Sequence, residues 1–428
     1  MKVLWICNLI LPEIAQELGL PYLPKEGWVE GLLSMVRENE QIEPVLAFPV
    51  PEEYDGKSGK INGLSYYGFY EDTQHPETYT TELESKISDI LVACKPDLMH
   101  CFGTEYPHTL AACRAFGEPS KILISMQGLC TVVAQRYMAN LPEYVQNGKT
   151  FRDVIRKDTL KLQQLKFEKR GQMEREAVAL AGHIAGRTAY DKKHTGEWND
   201  QAVYHHLGEN LRDAFYEGEW NVENAQPHRI FVAQADYPLK GFHYLLHAVN
   251  KLRRKYADVE IYVAGQSLIS GTDIKSRLKR TIYGKYLLYW IRKYRLTEIV
   301  HVLGRLSTEQ MKEQYLKCNL FVLPSANDNS PNALGEAMML GVPCVASDVG
   351  GISSVFTDRE DGLLFPISLG DSDRLVGDNL ADAISESWEY PKRTYAYAKN
   401  ARAHAQQNHN REKNVAEILE IYKEMLKK

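Results

Sequence analysis

The sequence predicts an α/β protein with two parallel, doubly wound sheets in series, and three observations lead there. Short apolar runs alternate with helix-spaced stretches along most of the chain. The alternation breaks off at a polar, aromatic segment, Arg212 to His228, and then starts again. At 428 residues the chain also exceeds what a single hydrophobic core usually organises.

The first run, KVLWICNLI, reads as a buried strand, and helical spacing follows from Gly27 to Arg37. PVLAF, DLMHCFG, KILISMQG, GHIAGRT and AVYHHLGE continue the first series. RIFVAQA, EIYVAG, IVHVLG, LFVLPS, PCVASD and GLLF make the second. The expected division is a first Rossmann-like domain over 1–210 and a second over 211–392. A helical tail over 393–428 is free to pack back on the first domain.

Composition narrows the function. The net charge of −5 provides no overall basic field for nucleic acid. Seven scattered cysteines without CxxC spacing suit buried, reduced thiols better than a zinc or redox centre. No secretory signal is readable at the N-terminus, and no apolar run reaches membrane-spanning length. There is no P-loop and no GxSxG elbow, and the DSD at Asp371 to Asp373 reads as solvated turn chemistry.

The most informative stretch is LFVLPSANDNSPNALGEAMMLGVPCVASDVGG, Leu320 to Gly351. Ser330 suits an N-cap, Pro331 the first helical position and Gly341 the stop, which predicts a helix from Pro331 to about Leu340. The amides of Asn332, Ala333 and Leu334 would then lie at the positive end of a helix that follows a strand, where a phosphate fits. The helix is apolar nearly all round, so Glu336 is either a buried carboxylate awaiting partners or part of a narrow polar stripe. Lys240 stands at a second helix start after a strand, a poor place for a cation unless an anion is near. In HCFGTEYPHT, His100, Glu105 and His108 fall at or beyond a strand end, either as ordinary loop residues or on the side where such folds take ligands.

These residues resemble family 4 of the glycosyltransferases, a retaining family of GT-B fold that includes many bacterial polysaccharide sugar transferases. The family's Glu, seven residues, Glu signature ahead of AMxxGxP reads here Asp328 to Glu336 followed by AMMLGVP, with DVGG downstream. The resemblance implies a GT-B fold, two Rossmann-like domains facing a cleft, with the nucleotide diphosphate sugar donor mainly on the second and the acceptor mainly on the first. It implies that Glu336 holds the ribose, that Asp328, Ser330 and Pro331 meet the donor sugar, and that Asn332 to Leu334 meet the diphosphate. Lys240 matches the family's donor-phosphate lysine. The arginine usual five residues earlier is replaced by Ala235, which leaves Arg187 or Arg305 to share the phosphate charge.

In the first domain Gly27 matches one of two family glycines and Glu26 replaces the other, while Gln127 stands where many relatives carry a histidine. Gln127 cannot act as a general base. It would orient a hydroxyl while the departing phosphate oxygen takes the proton. Glu105, His108 and Arg187 are expected on the acceptor side. The implied function is a metal-independent, retaining hexosyl transfer to a glycan or lipid-linked acceptor, without cofactor, in a cytoplasmic protein of cell-surface polysaccharide biosynthesis. Basic stretches over Arg152 to Arg175 and Lys275 to Arg295 read as solvated helix faces or, with a lipid-linked acceptor, as transient contacts with the inner membrane surface. Rival readings are a GT-B-type epimerase or hydrolase, and an inactive nucleotide-sugar-binding subunit.

Overall fold

The computed structural model describes residues 1–20, 27–37, 39–265 and 278–427. Contacts divide the chain into two units. One comprises Met1–Ala134, Lys166–Arg212 and His409–Lys428, the other Gln135–Leu165 and Asp213–Asn408. The second therefore begins where the aromatic break was read, but it also takes residues 135–165 out of the expected first domain and 393–408 out of the expected tail. Long-range bonds explain the transfer of 135–165. His243 Nε2 and the Tyr244 hydroxyl both reach the Ala139 carbonyl, at 3.0 and 2.6 Å, and the Asn140 side chain donates to Ser368 O at 2.9 Å.

Among the described residues, the first unit has eight strands: β1 (Lys2–Ile6), β2 (Glu43–Val50), β3 (Ser58–Ile61), β4 (Leu64–Tyr70), β5 (Leu98–Phe102), β6 (Ile122–Ser125), β7 (His183–Gly186) and β8 (Val203–His206). They are ordered 3-4-2-1-5-6-7-8 and are parallel except for the β3–β4 hairpin. Six are the strands expected; β3 and β4 are additional. The helix Gly27–Arg37 falls where its spacing put it. Apolar layers lie on both sheet faces, one around Trp5, Phe48 and Leu98, the other around Ile6, Met99 and Ile124, as a parallel sheet requires. The last helix, Arg411–Lys427, packs on the first of these through Ile418 and Tyr422.

The second unit has β9 (Arg229–Val232), β10 (Glu260–Ala264), β11 (Val300–Gly304), β12 (Leu320–Leu323), β13 (Cys344–Asp348) and β14 (Leu363–Pro366), ordered 11-10-9-12-13-14 and all parallel. All six coincide with the predicted runs. In each sheet the order reverses once, between β1 and β5 and between β9 and β12, and the carboxyl ends of strands beside such a reversal are where open α/β sheets take ligands. The seven cysteines are buried and outside any disulfide, and no described helix is long and apolar enough to cross a membrane.

Candidate functional site

In the second unit the two strands that flank the reversal, β9 and β12, deliver Lys240 and Asp328 to the same place. Lys240 Nζ lies 3.0 Å from Asp328 Oδ2, with each side chain less than one-fifth exposed. The carboxylate holds the ammonium well above its ordinary range against the opposing effect of burial. The anion that a lysine at this helix start needed is thus supplied by the chain itself. Ser325 Oγ also donates to Asp328 Oδ2, at 3.2 Å.

Two glycines let these loops approach. Gly241, at φ +66°, sits so close to the Pro324 carbonyl that any Cβ would collide with it, and Ala326 N bonds Leu239 O at 2.7 Å across the same gap. Gly350, at φ +59°, presses likewise on the Asp328 carbonyl, which accepts from Gly351 N at 3.0 Å. The Lys-Gly pair and the DVGG motif therefore have a backbone reason: both hold the loop that carries Asp328. Ser347 Oγ completes the arrangement by donating to Ser325 O at 2.6 Å.

The helix that follows runs over Asn332–Met339. It starts one residue later than predicted because Pro331 is extended, with ψ 113°, and acts as the cap; Ser330 is not the N-cap. The Leu334 amide turns back onto Pro331 O at 2.9 Å, so of the three amides expected to face a phosphate this one is engaged within the chain. Gly341 ends the helix in the left-handed region, at φ +75°. Glu336 is the buried carboxylate of the two readings, 4% exposed, and accepts from the Tyr315 hydroxyl at 3.3 Å. Tyr315 also donates to Ala333 O at 2.9 Å, which ties the acid to the first turn of its helix.

Arg305 is exposed beyond β11, two strands from β9, and is not gathered with Lys240. Arg187 belongs to the first unit. The DSD segment is not simple turn chemistry, because Asp373 is 8% exposed and pairs with His247 at 3.2 Å and with the Tyr286 hydroxyl.

In the first unit, Gln127 and Arg187 follow β6 and β7. Arg187 Nη2 donates to Gln127 Oε1 at 3.2 Å, and its guanidinium is paired with Glu209. With Ser125, Gly186 and Asn210 these three residues line a small cavity at the strand ends. Glu105 Oε1 accepts from Gly128 N at 2.6 Å, and the Glu105 carbonyl accepts from Arg170 Nε at 2.8 Å. His108 is only 1% exposed and is held by Glu71, which takes both its amide, at 2.9 Å, and its Nδ1, at 2.8 Å. His100 is buried between Ser125 Oγ and the Tyr422 hydroxyl, each at 2.7 Å, and burial drives its pKa down to about 3. Gly27 opens its helix; Glu26 and Lys275 lie outside the described residues. Sequence reasoning missed Ser325, Ser347 and Tyr315, whose roles are to position other groups and leave no spacing signal.

Residues 217–403 match the family described as glycosyl transferases group 1. A glycosyltransferase of Bacillus subtilis (strain 168) named for teichuronic acid biosynthesis, TuaC, is 38% identical over 77 residues, 18% of this chain, so the match spans about a fifth (20%) of that relative. The fold is similar to the sucrose-phosphate synthase of Thermosynechococcus elongatus, with 15% identity, TM-score 0.68 and 99% of each chain covered. It is also similar to HepE of Anabaena in complex with UDP, with 14% identity, TM-score 0.65 and 98% and 99% covered. The likeness to the group 1 glycosyltransferases thus lies in residues 217–403, and the two parallel-sheet units have a fold of the GT-B type.

Proposed function

We propose that the protein is a retaining glycosyltransferase that moves a hexose-type sugar from a nucleotide diphosphate donor to a glycan or lipid-linked acceptor. The observation that carries this reading is the meeting of Lys240, Asp328 and the Glu336 helix at the β9–β12 reversal, inside the stretch that matches the family. Glu336 offers its carboxylate to the ribose hydroxyls. Lys240 and the amides at the start of helix Asn332–Met339 balance the charge that develops on the diphosphate. The acceptor oxygen bonds to the anomeric carbon on the face from which the phosphate oxygen departs, and that oxygen takes the acceptor proton. Gln127 orients the acceptor hydroxyl, with Glu105, Arg187 and Glu209 near it.

The relative named for teichuronic acid biosynthesis and the UDP complex of HepE support a role in cell-surface polysaccharide synthesis and a uridine-type donor as first choices. The proposed setting is the cytoplasmic face of the membrane, and no metal or other cofactor is assigned to the reaction. The test is thermal stabilisation across a panel of nucleoside diphosphate sugars without added metal, repeated with Glu336→Ala. A selective rise in Tm that the variant loses by about tenfold in affinity, or about 1.4 kcal/mol, is expected. No response to any donor would overturn the donor site. Release of free or epimerised sugar without acceptor would favour the hydrolase or epimerase reading.

A further inference from the structure

The short helix Phe151–Ile155 of the second unit is turned inside out. Its sequence is FRDVI, and in water Asp153 belongs outside and the apolar residues inside. The structure has Asp153 fully buried, while Phe151, Val154 and Ile155 are 70%, 57% and 62% exposed. The orientation is locked. Asp153 Oδ2 accepts from the Thr150 amide, capping its own helix, and from the Ile282 amide, at 3.0 Å each, so it also anchors the start of helix Ile282–Lys293. Thr150 Oγ1 donates to Arg280 O at 2.9 Å. Rolling the helix over to hide its apolar residues would leave the carboxylate without these partners.

Beside it, among the described residues, a groove of about 820 Å³ is lined by Leu278, Arg280, Lys285, Leu288, Tyr289, Arg292 and Lys293, four cations and no acid. Leu278 and Tyr289 are themselves 57% and 50% exposed, and Arg156 and Lys157 follow the apolar tip directly. In the same helix Tyr283, Tyr286 and Trp290 are buried, so the exposed residues form its outer stripe.

We infer that this face docks on an anionic bilayer surface. Phe151, Val154, Ile155 and Tyr289 enter the boundary between headgroups and acyl chains, and the four groove cations meet lipid phosphates. A second copy of the chain is a poor occupant, because twofold pairing would set these cations against each other. The inference stands apart from the donor-site reading and is tested without it.

The experiment is co-sedimentation of the full chain with phosphatidylcholine vesicles, with and without phosphatidylglycerol, at low and high salt. Two variants are compared: Phe151→Ser with Ile155→Ser, and Lys285→Glu with Arg292→Glu. Partition onto the anionic vesicles at least about tenfold above that onto neutral ones, weakened by salt, is expected. Each double variant should lose about tenfold while its Tm stays close to wild type, as surface changes do. The inference fails if the wild type does not partition, if both variants partition equally with it, or if they instead abolish a concentration-dependent dimer.

Discussion

The strand ends of the two units are built differently. In the second unit the ion pair Lys240–Asp328 and the Glu336 helix rest on backbone fitted to backbone, with Gly241 against the Pro324 carbonyl and Gly350 against that of Asp328. In the first unit the corresponding residues are held by bonds that each involve a side chain: Arg187 by Glu209 and Gln127, the Glu105 carboxylate by the Gly128 amide and the Glu105 carbonyl by the Arg170 side chain, His108 by Glu71. A site made from close backbone approach must keep its glycines at set spacings and so leaves a motif. A site made from side-chain pairs between elements leaves scattered residues.

The sharpest way to break this contrast is Lys240→Ala. If its charge acts chiefly as the diphosphate departs, turnover should fall by about 10²–10³-fold while donor affinity changes less; steady-state kinetics beside calorimetric binding decides it, and unchanged kcat would remove Lys240 from the chemistry. Arg187→Ala should do the opposite. It leaves Glu209 buried without its cation, so urea unfolding should show a loss of about 3 kcal/mol, with donor binding in the other unit retained.

Acid should find both units. Burial holds His243 down to about 4 and His100 down to about 3, so each stays neutral in the fold after an unfolded imidazole, near 6.5, has begun to bind a proton. The contribution of these two rings to stability is therefore flat above that value and falls with pH beneath it, through about 4 for His243 and about 3 for His100. The His243 share is roughly 3 kcal/mol. Urea midpoints measured from pH 8 down to pH 4 should decline once below about 6.5, and a flat profile would contradict the burial of both rings. The smallest effect expected is that of Tyr315→Phe. It removes the hydroxyl that donates to Glu336 and to Ala333 O, and nucleotide-sugar binding should weaken by about 1 kcal/mol with the fold intact. Unchanged affinity would mean that the tyrosine does not position the acid.

Where sequence reading fell short, the causes are specific. β3 and β4 carry little strand signal because SGKI and LSYYGFY are poor in aliphatic residues, although Asn62 and Gly63 between them, at φ 48° and 86°, are the residues a tight hairpin needs. The Asn332 helix was placed to within one residue because a proline, a glycine and a strand bracket it. Asp373 looks solvated in sequence because nothing nearby announces His247 or Tyr286.

Alternation of apolar runs, turn residues and motif spacing act within about ten to twenty residues, and that range suffices for the parallel sheets, the helix after β12 and the identity of Lys240, Asp328 and Glu336 as candidates. Tertiary structure alone decided that Asp328 would neutralise Lys240, that Tyr315 would hold Glu336, that residues 135–165 would join the second unit and that Asp153 would turn inward. Each of these depends on which buried polar group finds a partner. That partner can lie anywhere along the chain, because the cost of leaving a buried charge or donor unmet does not depend on sequence distance.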